Sequence, residues 1–203
     1  MKAKILMLLV ALLMGNLSVM AQDPAIIEGS KGSDTAGSHK DHYWVDLGLS
    51  VKWATRNIGA KDPYKAGSYY TRENGSEPAA TVWGGGWRMP TIDEWVELVL
   101  NCEWKWIKSE EFTGALGTSK MNGEKIYLPV SGYKYKGEIM EPEVGDYWSS
   151  SPGSCRPAER GEALVFFDMN TMTLVGPKKG EVYFDDTDME KDYGLVIRPV
   201  LDK

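Results

Sequence analysis

The stretch from Trp83 to Trp95 reads Trp-Gly-Gly-Gly-Trp-Arg-Met-Pro-Thr-Ile-Asp-Glu-Trp, and it limits the fold more than any other part of the chain. Three glycines at 84 to 86 open backbone angles closed to other residues. Thr91 stands three residues before Glu94, the spacing at which a threonine oxygen caps one free N–H and a glutamate carboxylate reaches back to another. A tight turn therefore runs into a helix expected over about 92–101. Ile92, Trp95, Val96 and Val99 fall at helical spacing on one face, with Asp93, Glu94 and Glu97 elsewhere, so the helix should pack on a sheet.

Strands are expected around that helix. Val51 to Thr55 alternates apolar and polar residues as a half-buried strand does, and Gly67 to Arg72 reads as another. Trp104 to Ile107 forms a short strand candidate. Thr118 to Met121 and Glu124 to Leu128 flank Asn122-Gly123, the favoured two-residue hairpin turn. Further candidates are Asp146 to Ser150, Ala163 to Asp168, Met172 to Val175 and Gly194 to Val200, the middle two joined across Met169 to Thr171. One clear helix among many strands predicts an α+β domain.

The amino terminus has the layout of a cleavable secretory signal: Lys2 and Lys4, an unbroken apolar run from Ile5 to Met14, then Val19-Met20-Ala21 before Gln22. Cleavage is expected after Ala21, which predicts a secreted or extracytoplasmic protein. No cysteine follows that site to accept a lipid, and no later run approaches the roughly 20 residues of a transmembrane helix. Without Lys2 and Lys4, 21 basic residues face 29 acidic ones, a formal charge of −8. With no basic cluster to neutralise phosphates, nucleic acid is not an expected partner. Residues 22–42 are rich in Gly, Ser, Asp and Lys and predict a flexible linker, leaving 43–203 as one domain.

Five blocks now support a resemblance. They are Val45 to Thr55, Trp83 to Trp95, Asn101-Cys102, Tyr147-Trp148-Ser149-Ser150-Ser151, and Val196-Ile197-Arg198-Pro199-Val200. In this order they resemble the Fibrobacter succinogenes major paralogous domain family across nearly all of 43–203. The resemblance implies a secreted or surface protein with a C-type-lectin-like core of mostly antiparallel strands, but no particular activity. Relatives often read Trp-Ala-Thr-Cys where this chain has Arg56, so the cysteine partner that the resemblance would offer Cys102 is missing. That core usually has two helices, whereas only one is evident here.

The candidate chemistry is sparse. The Trp-Arg-Met-Pro-Thr segment is also similar to formylglycine-generating oxidases, which need a closely spaced cysteine pair; Cys102 and Cys155 are far apart. These two remain the candidate disulfide, favoured by an oxidising compartment and disfavoured by the broken arrangement at Arg56. His39 and His42 lie in or beside the linker, which leaves the domain body without the histidine that Ser-His or Cys-His catalysis uses. Ser149 to Ser151 then reads as the polar end of a strand. Asp185 to Asp192 is faintly like a calcium loop, but Lys191 stands where the loop needs Gly and Ile197 where it needs Glu, so a solvated acidic loop is expected. Glu141-Pro142-Glu143 differs from the sugar-binding Glu-Pro-Asn of calcium-dependent lectins by losing an amide donor. No metal or cofactor is expected.

Eight tryptophans supply rings for packing or recognition. Trp53, Trp87, Trp95 and Trp148 fall in the family blocks and are expected in the core. Trp44, Trp104, Trp106, Tyr133 and Tyr135 are the candidate ligand-contact aromatics, with Trp104 and Trp106 on one strand face. These readings predict a non-catalytic binding or adhesion module for a glycan or a surface protein. The alternatives are an enzyme, either oxidase-like or a carboxylate-based hydrolase, and a structural subunit of a surface assembly.

Overall fold

The computed structural model describes residues 35–72, 76–168 and 181–203. Within them the chain is an α+β protein of mostly antiparallel strands with two helices. Helix α1 (Pro78–Trp83) enters the glycine turn, and helix α2 (Ile92–Asn101) leaves it. Gly84, Gly85 and Gly86 all take positive φ, which is why this turn is built from glycine. Thr91 Oγ1 accepts the Glu94 N–H at 3.2 Å and Glu94 Oε2 accepts the Thr91 N–H at 2.8 Å, completing the expected capping box. Trp95 and Leu98 are the buried residues of α2; Val96, expected on that face, is exposed.

One sheet runs β1 (Ala36–His39), β2 (His42–Val45), β3 (Val51–Ala54) and β12 (Val200–Asp202), so the carboxyl-terminal strand pairs with an early one. A second joins β11 (Val182–Glu190), β10 (Arg160–Asp168) and β9 (Gly145–Pro152). A third joins β4 (Cys102–Lys108), β5 (Thr113–Ser119) and β6 (Lys125–Pro129), and β7 (Tyr133–Tyr135) pairs with β8 (Glu138–Met140). The main core brings Trp53, Trp95, Tyr147 and Phe166 together with Leu47, Leu98 and Val200. Trp148 belongs to a smaller cluster with Ile58, Met89, Leu195 and Ile197. All four tryptophans expected inside are fully buried.

Several expectations are corrected. The domain reaches into the expected linker, because β1 and β2 form a hairpin whose turn residues Lys40 and Asp41 both have positive φ, as a type I′ turn requires. Lys-Asp lacks the Asn-Gly signature, which hid the turn in the sequence. The hairpin docks on the glycine turn: the His42 ring stacks on Trp83 at 3.8 Å, and Trp87 Nε1 donates to the His39 carbonyl at 3.2 Å. Neither histidine is a solvated linker residue. His42 is lowered from its ordinary value by burial and by Arg56, against the opposing charge of Asp41.

The β5–β6 hairpin forms with a longer connection than two residues. Ser119 N–H donates to the Glu124 carbonyl at 2.8 Å, while the Asn122 amide donates to the Asp46 carbonyl at 2.8 Å. Asn122 thus anchors another loop. Gly67 to Arg72 contributes a single bridge, Tyr70 to Leu195, and Gly194 to Val196 makes isolated bridges before β12 begins. The acidic run Asp185 to Glu190 is strand, not loop, because it pairs with β10 throughout. It sits at a sheet edge, where exposed carboxylates discourage further pairing. Met172 to Val175 and the 169–171 connection lie outside the described residues. Among the described residues, no helix is long and apolar enough to cross a membrane.

Candidate functional site

Strand alternation puts Tyr133 and Tyr135 on one face of β7 and Lys134 on the other. Lys134 bridges to Gly194 through two backbone hydrogen bonds, N–H to carbonyl in each direction, at 2.7 and 2.8 Å. A Cβ on Gly194 would stand 3.2 Å from both Lys134 Cβ and Tyr69 Cβ, so the close approach is suited to glycine. This bridge delivers Tyr193 to the same aromatic face. Its ring stacks on Tyr133 at 5.0 Å with 12° between planes and meets Tyr135 at 4.9 Å and 62°. The Lys136 ammonium lies 4.9 Å from the Tyr135 ring centroid.

Beside these rings is an open groove of about 580 Å³, lined by Tyr135, Tyr193, Ala158, Glu159, Glu190, Lys191 and Asp192. Most of its charges are already occupied. Arg156 pairs with Glu159 at 3.1 Å and Glu190 at 3.7 Å, and Arg160 with Glu190 at 3.2 Å. Lys191 Nζ donates to the carbonyls of Pro157 at 2.6 Å and Ala158 at 3.1 Å. The Asp192 carboxylate is exposed and has no protein partner among the described residues. Two phenols with aromatic faces, next to an uncommitted carboxylate, can stack on a sugar ring and hydrogen-bond its hydroxyls.

Of the five candidate aromatics, the structure brings Tyr133 and Tyr135 together and leaves the tryptophans elsewhere. Trp106 is buried against Phe166, and Trp104 packs on Phe184 at 4.7 Å with its Nε1 donating to the Val99 carbonyl at 3.0 Å. They share a face as expected, but that face is core. Trp44 is half-buried, paired with Gly37 and covered by the Lys52 ammonium at 4.2 Å. Tyr193 is the site residue that the sequence reading missed. Tyr133-x-Tyr135 announces a shared strand face, whereas the approach of Tyr193 depends on a bridge between distant segments.

The remaining candidates have structural tasks. Cys102 is buried and Cys155 exposed, both as free thiols, so the candidate disulfide is not formed. Ser149 Oγ donates to the Glu162 carbonyl at 2.8 Å, and Ser151 Oγ accepts the Ile92 N–H at 3.0 Å, serving the first turn of α2. Asp188, from the calcium-like stretch, accepts N–H groups from Ser154 at 2.9 Å and Cys155 at 2.8 Å. Those hydrogen bonds, Cys155 first, hold its carboxyl below the usual range.

Two buried ionisable groups stand apart from the groove. Arg198 is fully buried and donates to Asn57 Oδ1 and to the carbonyls of Ala54 and Tyr127 at 2.7 to 3.0 Å; burial lowers it to about 10. Asp146 is 2% exposed with Oδ2 unpartnered. Burial, with a smaller contribution from Glu141, pushes its carboxyl up to about 7. A second cavity of about 460 Å³ is lined by Glu141, Pro142, Glu143, Val144 and Phe167. Asp146 lines neither of these two cavities.

Comparison of the chain with family models, curated proteins and solved structures finds no match.

Proposed function

We propose that this chain is a secreted or surface-located, non-catalytic binding module with a C-type-lectin-like core, and that it holds a glycan in the Tyr135–Tyr193 groove. The observation that carries the reading is the pair of half-exposed tyrosine rings beside the uncommitted Asp192 carboxylate. Tyr133 backs the Tyr193 ring, so that ring is held in place before a ligand arrives. The five sequence blocks, the capped helix after the glycine turn and the pairing of β3 with β12 support membership of the Fibrobacter succinogenes major paralogous domain class. The layout of residues 1–21 supports export. A hydrolase would need two carboxylates free to face substrate in one cleft; of those lining the groove, Glu159 and Glu190 are held by Arg156 and Arg160, and in the second cavity Glu143 pairs with Lys108.

Glycan-array binding by the full chain tests this reading, followed by titration of the strongest ligand. Tyr135→Ala and Tyr193→Ala are each expected to weaken binding roughly tenfold, the loss of one stacking ring. Unchanged affinity in the double variant would reject the site.

A second reading, a subunit of a surface assembly, is favoured by exposed apolar residues on α2. Val96 and Leu100, one turn apart, are 43% and 67% exposed, and Met121 on the turn beside the helix end is 63% exposed. Concentration-dependent self-association, lost in Leu100→Lys, would select it.

A further inference from the structure

We propose that β8 is the seam of a symmetric dimer, in which two copies of this chain join edge to edge through Ile139. This stands apart from the glycan reading and begins with the direction of backbone bonds. Lys134 directs both its N–H and its carbonyl to Gly194, at 2.7 and 2.8 Å, and so turns both groups away from β8. Its cross-strand partner is Ile139. In an antiparallel ladder such a pair is of the non-hydrogen-bonded kind, with the polar groups of both residues facing outward. Ile139 therefore presents its N–H and carbonyl along the outer edge of β8, where this sheet ends. The hairpin that carries the edge is firmly turned, since Lys136 and Gly137 both have the positive φ of a type I′ turn.

Another extended strand completes an edge of this kind, and the residues of β8 specify a second copy. When two copies lie antiparallel about a twofold axis at Ile139, each Ile139 N–H meets the other's carbonyl. Centring the pair one residue away would use Glu138 or Met140, whose polar groups already face β7, so the register is fixed. In that register Ile139 packs on Ile139, and Glu138 falls opposite Met140 instead of opposite another Glu138. Ile139 and Met140, 50% and 40% exposed, gain cover. The axis also brings the turn end of one β8 to the exit end of the other, which sets Lys136 beside Glu141. Neither has an ion-pair partner among the described residues, and Lys136 touches only the Tyr135 ring. The joined edges make one four-stranded sheet with Tyr133 and Tyr135 of both copies on the same face. Because β8 has three residues, the seam is small and the dimer weak.

Sedimentation equilibrium of the chain from Gln22 onward, over about a hundredfold range of concentration, tests the seam. Wild type is expected to pass from monomer to dimer within that range. Ile139→Pro removes an N–H that the fold leaves unused, and Ile139→Lys sets like charges against each other on the axis. Each should raise the dimer dissociation constant about tenfold while thermal melts keep the wild-type midpoint. Lys136→Glu and Glu141→Lys should each weaken the dimer, and the double variant should restore it. Leu100→Lys, on the exposed face of α2, should leave the dimer intact. A chain that stays monomeric, even one that takes up an added extended peptide at β8, overturns the proposal. So does a dimer indifferent to both Ile139 variants, one lost only in Leu100→Lys, or one that the double charge reversal fails to restore.

Discussion

Arg88 grips Glu94 with a two-bond fork, Nη1 to Oε2 at 2.8 Å and Nη2 to Oε1 at 2.6 Å, and the same guanidinium reaches Asp202 Oδ1 at 2.7 Å. The helix cap is thereby tied to the last strand. Burial alone would raise the Glu94 carboxyl, but the hydrogen bonds from Arg88 and Thr91 outweigh it and leave it lowered. Glu94→Gln is expected to cost about 1 to 2 kcal/mol at neutral pH, and Thr91→Ala about 1 kcal/mol, by chemical denaturation. A lowered folded-state value means that the Glu94 contribution is present above its unfolded pKa and fades as pH falls through the folded one. The gap between wild type and Glu94→Gln should therefore narrow in acid.

Asp146 has the opposite sign. Its folded-state value, raised to about 7, favours the protonated form, so its contribution is full below the ordinary carboxyl value of 3.8 and is lost as pH rises toward 7. Asp146→Asn should remove this dependence. Between about pH 4 and pH 8 the variant is expected to gain about 2 to 4 kcal/mol relative to wild type, measured as the difference in unfolding free energy at each pH. A constant difference across that range would mean that Asp146 stays ionised in the fold.

Gly145 opens β9 directly against Phe166, with no room for a Cβ between backbone and ring. Phe166 is fully buried and touches Trp106, Tyr147 and Phe184, so it has little freedom to move aside. Gly145→Ala is expected to destabilise the domain by about 1 to 3 kcal/mol. A shift in denaturation midpoint at unchanged slope is the readout.

The two thiols should report separately. Cys155 is exposed, whereas burial pushes Cys102 up to about 11 and keeps its reactive thiolate scarce. Thiol reagents are expected to label one site in the folded protein and a second only after unfolding without reductant. Absence of both labels in the unfolded, unreduced chain would reveal a disulfide.

Local interactions made part of this protein readable in advance. The Thr91–Glu94 cap spans four residues, and the helix it starts runs over the expected 92–101. Alternation over Val51 to Thr55 likewise placed β3, and the strand candidates at 104–107, 146–150 and 163–168 fall within β4, β9 and β10. The Trp-Arg-Met-Pro-Thr segment is built by the same short-range physics, with Arg88 close enough in sequence to reach its own helix start.

By itself, then, the sequence determined the capped helix, most of the strands, and the burial of Trp53, Trp87, Trp95 and Trp148. Only the tertiary structure decided where the surface rings went. Trp104 and Trp106 alternate correctly for a binding face, yet Phe184 and Phe166 cover that face from another sheet. The acidic run became β11 because β10 offered it a full ladder of hydrogen bonds, and His39 and His42 joined the domain because the tryptophans beside the glycine turn gave them a surface to pack on. The groove has the same origin. Tyr193 meets Tyr133 and Tyr135 only through the Lys134–Gly194 bridge, and a contact between distant segments leaves no periodicity in either one.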